Sequence, residues 1–287
     1  MDLFYAYEAL IAFVGINGLL ALSIYATLCC GQLSLANAGF MAVGAYTGAL
    51  ITLHAPHVPF ALVLLASVAA PAVLAVPLGL PVLRLRGVFL AIATVGFGEV
   101  VRLAFVNWDF TNGALGLVAI PQRTHLWTIF LALAVVLFVL GRLQGSRAGF
   151  ALAAIREDET AARTMGIDAN SYKLAMLVAG AAIAGLAGAL EAHFTFIVSP
   201  SGYGFSRVVD MLVQAVVGGV AVFFGPAIGA AFLTLLPEIL REVGARLGLS
   251  PGPFRLFLDG VVLLAVILYL PNGLASLPQH LRRRRAA

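Results

Sequence analysis

Few residues in this chain could do chemistry, and most of those stand at the edges of apolar runs. "GFGEVVRLAF" places Glu99 and Arg102 one helical turn apart, a spacing at which the two can pair along one face. "CCGQLSLANAGF" carries Gln32, Ser34 and Asn37 at the start of a helix, where amide donors and the helix dipole favour a buried polar group. Asp210 and Gln214 stand four apart at the start of a run broken by glycines, and Glu191 and His193 lie near the end of the run before it. Ionisable groups at membrane depth are costly and face a partner or a wet cavity. Gln32, Asn37, Glu99, Arg102, Asp210 and Gln214 are therefore the candidates for a polar interior or a path through it. For Glu99 and Arg102 the competing reading is a salt bridge that locks two helices together.

Catalytic patterns are missing. The sequence has no H-E-x-x-H, no G-x-S-x-G and no Cys/His set at metal-ligand spacing. His54 and His57 are separated by Pro56 in a loop, a poor frame for a metal. Cys29 and Cys30 are adjacent, so they do not readily close a normal disulfide, and they read as small hydrophobes. A P-loop needs Gly-Lys-Ser/Thr, whereas the one lysine, Lys173, lies between Tyr172 and Leu174. This chain is thus expected to bind no cofactor. If ATP drives it, ATP and its Mg belong to another subunit. Transport is favoured over catalysis.

The elements that position these residues follow from composition. Of 287 residues, 62% are hydrophobic and 10% are charged, where soluble domains carry about 25% charge. The apolar residues fall in runs near 9–29, 34–53, 59–83, 87–106, 125–141, 172–197, 208–240 and 254–271, and about 20 residues of helix cross a bilayer. The fold class is an all-α polytopic membrane protein, and the alternating segments of a β-barrel are absent. The net charge of +4 could point to nucleic acid, but the basic residues are confined to short loops. Arg84 and Arg86, then Arg142 to Lys173, then Arg282 to Arg285 mark cytoplasmic faces by the positive-inside rule.

Parity then sets the path. An even number of crossings must separate Lys173 from the Arg tail, so 208–240 must enter and leave on one side. Gly218-Gly219 and Gly225-Pro226 interrupt it, and 211–224 would span only about 21 Å at 1.5 Å per residue. Two short packed helices or a re-entrant hairpin are expected there, giving about nine transmembrane or re-entrant helices. The N-terminus is then periplasmic and the C-terminus cytoplasmic. Asp2 and Glu8 without a preceding basic residue do not suit a cleaved signal peptide. Residues 1–287 form one transmembrane domain. Small residues four apart, as in Gly44/Gly48, Ala181/Gly185, Ala184/Gly188 and Gly225/Gly229, predict close helix packing.

One stretch departs from this pattern. "GFALAAIREDETAARTMGID", 149–168, concentrates charge in a chain that avoids it. Over 149–167 it reads as a short amphipathic cytoplasmic helix, with Phe150, Ile155, Ala162, Met165 and Ile167 making apolar contacts. Glu157, Asp158 and Glu159 are exposed, Gly166 is the C-cap, and Asp168 restarts the chain towards Lys173. Orientation alone needs only arginine, so the added acids favour a protein-docking surface whose charges fix register.

"REDETAARTMGID" resembles the EAA-type loop of ATP-binding cassette importer permeases. "GQLSLANAGFMAVGAYTGAL" (31–50), "LRLRGVFLAIATVGFGEVVRLAFVNW" (83–108), "YKLAMLVAGAAIAGLAGALEA" (172–192) and "LVQAVVGGVAVFFGPAIGAA" (212–231) are similar to the Liv-type branched-chain amino acid permeases, M-type subunit. The resemblance runs from about 17 to 271. It implies an inner-membrane permease with a second, H-type permease, two cytoplasmic ATPases and a periplasmic binding protein, and no nucleic-acid partner. It also implies that the segment at about 145–170 is the coupling loop, with Arg156, Glu157, Glu159, Ala161, Ala162 and Gly166 as the ATPase-docking residues. The loop reads Glu-Thr-Ala-Ala rather than a strict Glu-Ala-Ala. Two other readings remain open. A urea or short-amide permease of the same family would differ in substrate. An ion-coupled secondary transporter would need carboxylate relays and commonly inverted repeats; Glu99 could be such a relay, but no internal repeat is visible.

Overall fold

The structure is a computed structural model that describes residues 2–85, 87–246 and 273–274. Among the described residues ten α-helices follow in order: α1 (Asp2–Leu28), α2 (Asn37–His54), α3 (Phe60–Val82), α4 (Val88–Val106), α5 (Leu126–Gln144), α6 (Arg147–Glu157), α7 (Glu159–Thr164), α8 (Ala169–Thr195), α9 (Phe205–Gly218) and α10 (Gly225–Arg246). The extended structure among them is one antiparallel bridge, Leu117 to Val198. Tyr7–Leu28 within α1, with α3, α4, α5 and α8, are long and apolar enough to cross a membrane. The run expected at 254–271, Arg86 and the Arg282–Arg285 tail lie outside the described residues.

The centre of the bundle is built from small residues. α2 is buried at most of its positions, among them Gly44, Ala45, Gly48 and Ala49. It packs on α8, whose Gly180, Ala181, Ala184, Gly185 and Gly188 are also buried. A Cβ on Gly44 would overlap the Gly185 backbone, and one on Gly185 would overlap the Pro71 ring of α3. A Cβ on Gly180 would sit 2.8 Å from the Ser23 carbonyl of α1. Three helices therefore meet α8 at backbone distance, which only missing side chains allow. Lipid tails are as apolar as leucine, so association here rests on dispersion at short range rather than on water release. The expected close packing of the small-residue pairs is what the structure has.

Around this centre the helices differ in burial. In α1 and α8, 67% and 61% of the most apolar stretch is buried; in α3, α4 and α5 the shares are 22%, 28% and 17%. The outer three thus present apolar faces outward, as Leu65, Ile92, Trp127 and Leu131 do. Pro71, Pro77 and Pro81 stand inside α3, where neighbouring helices can satisfy the freed carbonyls.

The broken run 208–240 is two helices, α9 and α10, joined through 219–224. They pack antiparallel through glycine: a Cβ on Gly218 would strike Gly225, and one on Gly229 would strike Gln214 and Gly218. α9 is short because irregular backbone precedes it inside the bundle. Pro200 and Tyr203, in a 3-10 turn, are both buried. The Phe205 amide, first in α9, donates to Glu99 Oε1 at 3.2 Å, well inside α4.

Candidate functional site

The polar residues singled out in the sequence do not form one site. They separate into three places. Gln32 and Asn37 lie where α1 passes to α2. Asn37 donates to Ser23 at 2.9 Å, and the Gln32 amide nitrogen and Asn37 carbonyl oxygen are buried without partners among the described residues. No side chain caps α2, which begins after Ala36 in a right-handed conformation. Glu99 and Arg102 form a 2.7 Å salt bridge, and Glu99 also accepts from the α9 terminus. A carboxylate there complements the positive end of the helix dipole, so the pair ties α4 to α9. His193 is a satisfied core residue, bonded to Thr52 and to the Ala189 carbonyl at 2.8 Å each.

Asp210 and Gln214 occupy the third place, and this one is a cavity. It has a volume of about 480 Å³ and lies between α9, α10 and α1. Arg207, Asp210 and Gln214 recur at i, i+3 and i+7, so α9 carries a polar stripe along one face. Asn17 and Thr234 complete the polar lining and bond each other at 2.9 Å. Arg207 reaches across to Glu191 of α8 at 2.6 Å, while its Nε is buried without a partner among the described residues, as is Gln214 Oε1. Arg207, Asn17 and Thr234 are the residues that sequence reasoning missed. Arg207 was within reach, since it stands one turn before Asp210. Asn17 and Thr234 needed the fold, because each is a single polar residue in an apolar run.

The charged stretch 149–168 is not one helix. Asp158 is extended, with φ −151° and ψ 107°, and its side chain accepts from the Thr160 and Ala161 amides. It ends α6 and caps α7 in one step. α7 then closes in a Schellman turn: Ile167 N–H donates to the Ala162 carbonyl at 3.1 Å and Gly166 N–H to the Arg163 carbonyl at 3.0 Å. Gly166 has φ +83°, the conformation the turn requires, so the expected glycine cap is present. Asp168 caps α8 through the Asn170 and Ser171 amides, and its carboxyl is held below the ordinary range chiefly by the Ser171 hydroxyl.

Burial divides the loop residues into two groups. Ala162, with Ile155 and Ala169, faces inward. Glu159 accepts from Lys173 and from Arg163, each at 2.7 Å. The Lys173 hydrogen bond is the main reason its carboxyl sits below its ordinary value; desolvation opposes this and Arg163 assists. These residues hold the loop's shape. Arg156, Glu157, Ala161 and Gly166 are exposed. So are Phe150 and Met165, at 70% and 82%, whereas Ile155 and Ala162, counted with them as the apolar contacts of the helix, are buried. The pattern for one continuous helix fails at Asp158, and the faces rotate beyond it. At its base the loop touches the α9–α10 turn: Arg156 donates to the Val220 carbonyl at 3.3 Å and Gln144 to the Ala221 carbonyl at 3.2 Å.

A bundle of apolar helices around a small-residue centre, with a polar cavity and a charged loop at one end, is the architecture of a multi-pass membrane protein. Residues 6–267 match the family described as the branched-chain amino acid transport system permease component, and the chain belongs to that family. It is 31% identical over 296 aligned residues to the high-affinity branched-chain amino acid transport system permease protein LivM of Salmonella typhimurium, and equally to LivM of Escherichia coli. Each alignment covers 91% of this chain and 66% of the relative, so the chain spans just under two thirds of their length. No solved structure matches it significantly.

Proposed function

We propose that this chain is the permease subunit of an ATP-binding cassette importer for branched-chain amino acids. In this reading it sits in the bacterial inner membrane, with the N-terminus periplasmic and the C-terminus cytoplasmic. It works with a second permease subunit, two cytoplasmic ATPase subunits that hold ATP and Mg, and a periplasmic binding protein. Family membership supports the transport class. The observation that carries the coupling assignment is the shape of the 145–170 loop. Two short helices are capped at both ends and braced from behind by Glu159 and Lys173, and they present Glu157, Ala161, Met165 and Gly166 outward. A rigid projection of small and apolar residues rimmed by charge suits insertion into a groove on a partner protein.

The test is reconstitution with the partner subunits and binding protein in liposomes, followed by leucine uptake. Uptake is expected to require ATP. Met165→Asp is expected to abolish ATPase co-purification while the chain still inserts in the membrane, because Met165 is 82% exposed and supports nothing internal. Uptake by this chain without ATPase subunits, or normal co-purification of the Met165→Asp variant, would refute the proposal.

A further inference from the structure

The cavity between α1, α9 and α10 has features that a lipid-facing crevice or a packing defect would not have. Asp210 is exposed, yet it forms no ion pair among the described residues. A carboxylate in that state on a helix at membrane depth needs water or a cationic ligand. The two unpartnered buried groups beside it have opposite character. Arg207 Nε is a donor and Gln214 Oε1 an acceptor. A third group comes from the backbone. Pro237, inside α10, has no amide hydrogen, so the Leu233 carbonyl lacks its helical donor, and both residues line the cavity.

These groups fit two ends of one small molecule. An ammonium needs acceptors, and Asp210, Gln214 Oε1 and the Leu233 carbonyl supply them. A carboxylate needs charged donors, and Arg207 retains Nε while one terminal nitrogen holds Glu191. Arg207 and Asp210 are three residues apart on one helix face, which sets their Cβ atoms about 5–6 Å apart. The two charged groups of an α-amino acid share one carbon and match such a spacing. The remaining walls are Val209, Val213, Leu236 and Pro237, apolar and of the right character for a branched aliphatic side chain. The volume of about 480 Å³ lies within the roughly 300–1,000 Å³ typical of small-molecule sites. The depth fits too: Asn17 is about 17 Å from the α1 C-terminus at 1.5 Å per residue, near the middle of a hydrocarbon core about 30 Å thick.

We infer that this cavity is a zwitterion-binding substrate site, in which Asp210 receives the α-ammonium, Arg207 the α-carboxylate, and the α9–α10 wall the aliphatic side chain. The inference rests on the importer reading and deepens it. It also separates the substrate classes, since a neutral amide such as urea has no use for an opposed charge pair.

Two measurements on the assembled transporter test it. In proteoliposomes with the binding protein, Asp210→Asn is expected to lower leucine uptake at limiting substrate by about tenfold or more, as loss of a charge-assisted bond does. Asp210→Glu should restore part of it. ATPase co-purification should be unchanged, because Asp210 lies about 12 Å of helix before the Gly218 end of α9, beside which the 145–170 loop sits. In nanodiscs, Val213→Cys is expected to react with a charged methanethiosulfonate reagent, and leucine with binding protein and nucleotide should slow that reaction several-fold. The native thiols add little background, since burial pushes Cys29 up to about 12 and Cys30 up to about 11 and thiolates are the reactive form. Wild-type uptake in Asp210→Asn, labelling indifferent to leucine, or protection by urea instead of leucine would each overturn the site. A wild-type complex that imports no leucine would instead overturn the importer reading, so the two failures are distinguishable.

Discussion

Glu159→Gln separates holding the 145–170 loop together from touching a partner. The native carboxylate accepts one bond from Lys173 and one from Arg163, each at 2.7 Å. Exposure weights them unequally: the Lys173 side chain is 15% exposed and that of Arg163 is 45%. A hydrogen bond to a charged group contributes about 1.5–3 kcal/mol when sheltered. An exposed i,i+4 pair contributes only about 0.3–0.5 kcal/mol. Glutamine keeps one acceptor oxygen and loses the charge, so the net local cost is about 1–2 kcal/mol after solvent screening. Because about 1.4 kcal/mol is tenfold in an equilibrium, amides in 159–165 should exchange hydrogen about 5–30-fold faster in the purified protein, with α2 and α8 unaffected. The effect also has a pH signature. Glu159 has a lowered folded value, so its stabilisation is complete above the ordinary 4.5 and is lost as pH falls through that lowered value. The variant-to-wild-type ratio should therefore fall towards unity in strong acid. Unchanged exchange at neutral pH would show that Glu159 does not brace the loop.

Two further substitutions probe the backbone. Gly44→Ala should destabilise by about 1–3 kcal/mol, the range for overpacking, because the new methyl meets the Gly185 backbone. Gly96→Ala, with nothing within 4 Å of the added Cβ, is the control and should leave the melting temperature in detergent unchanged. Gly166→Ala also meets no atom within 4 Å, but its φ of +83° is a left-handed one. It should raise local exchange in α7 by an amount matching about 1–2 kcal/mol without lowering the global melting temperature.

The membrane class, the runs among the described residues and the packed small-residue centre were legible because each rests on a local property: mean apolarity, run length, or glycine spacing. The division of 208–240 was legible for the same reason, since Gly218-Gly219 and Gly225-Pro226 are strong breakers. The loop was partly legible. Gly166 and Asp168 announce a cap and a restart, but Asp158 reads equally well as an exposed helical acid until its backbone is seen to be extended. That one residue turns Met165 outward, whereas Phe150 precedes it and already lies away from the buried Leu152 and Ile155 of α6. The cavity was least legible. Asp210 and Gln214 could be paired by spacing, whereas Asn17 and Thr234 are 217 positions apart in sequence and meet only when α10 lies against α1.

The fold also places the stiff and the adaptable parts differently. α2, α3 and α8 meet where Gly44, Gly185 and Pro71 leave no room for a side chain, and packed cores of that kind do not deform continuously. The α9–α10 hairpin is also packed through glycine and against α1, but its turn and the start of α9 have polar ties as well. Its turn at 219–224 hangs from the Arg156 and Gln144 side chains, and the start of α9 is held by Glu99 and, through Arg207, by Glu191. Long polar side chains can exchange partners, whereas interlocked backbones cannot. The 145–170 loop thus contacts the α9–α10 turn, through Arg156 and Gln144, as well as the start of α8, through the Glu159–Lys173 bridge. A displacement of the loop has a direct physical route to Asp210 and Gln214 through the α9–α10 turn it touches.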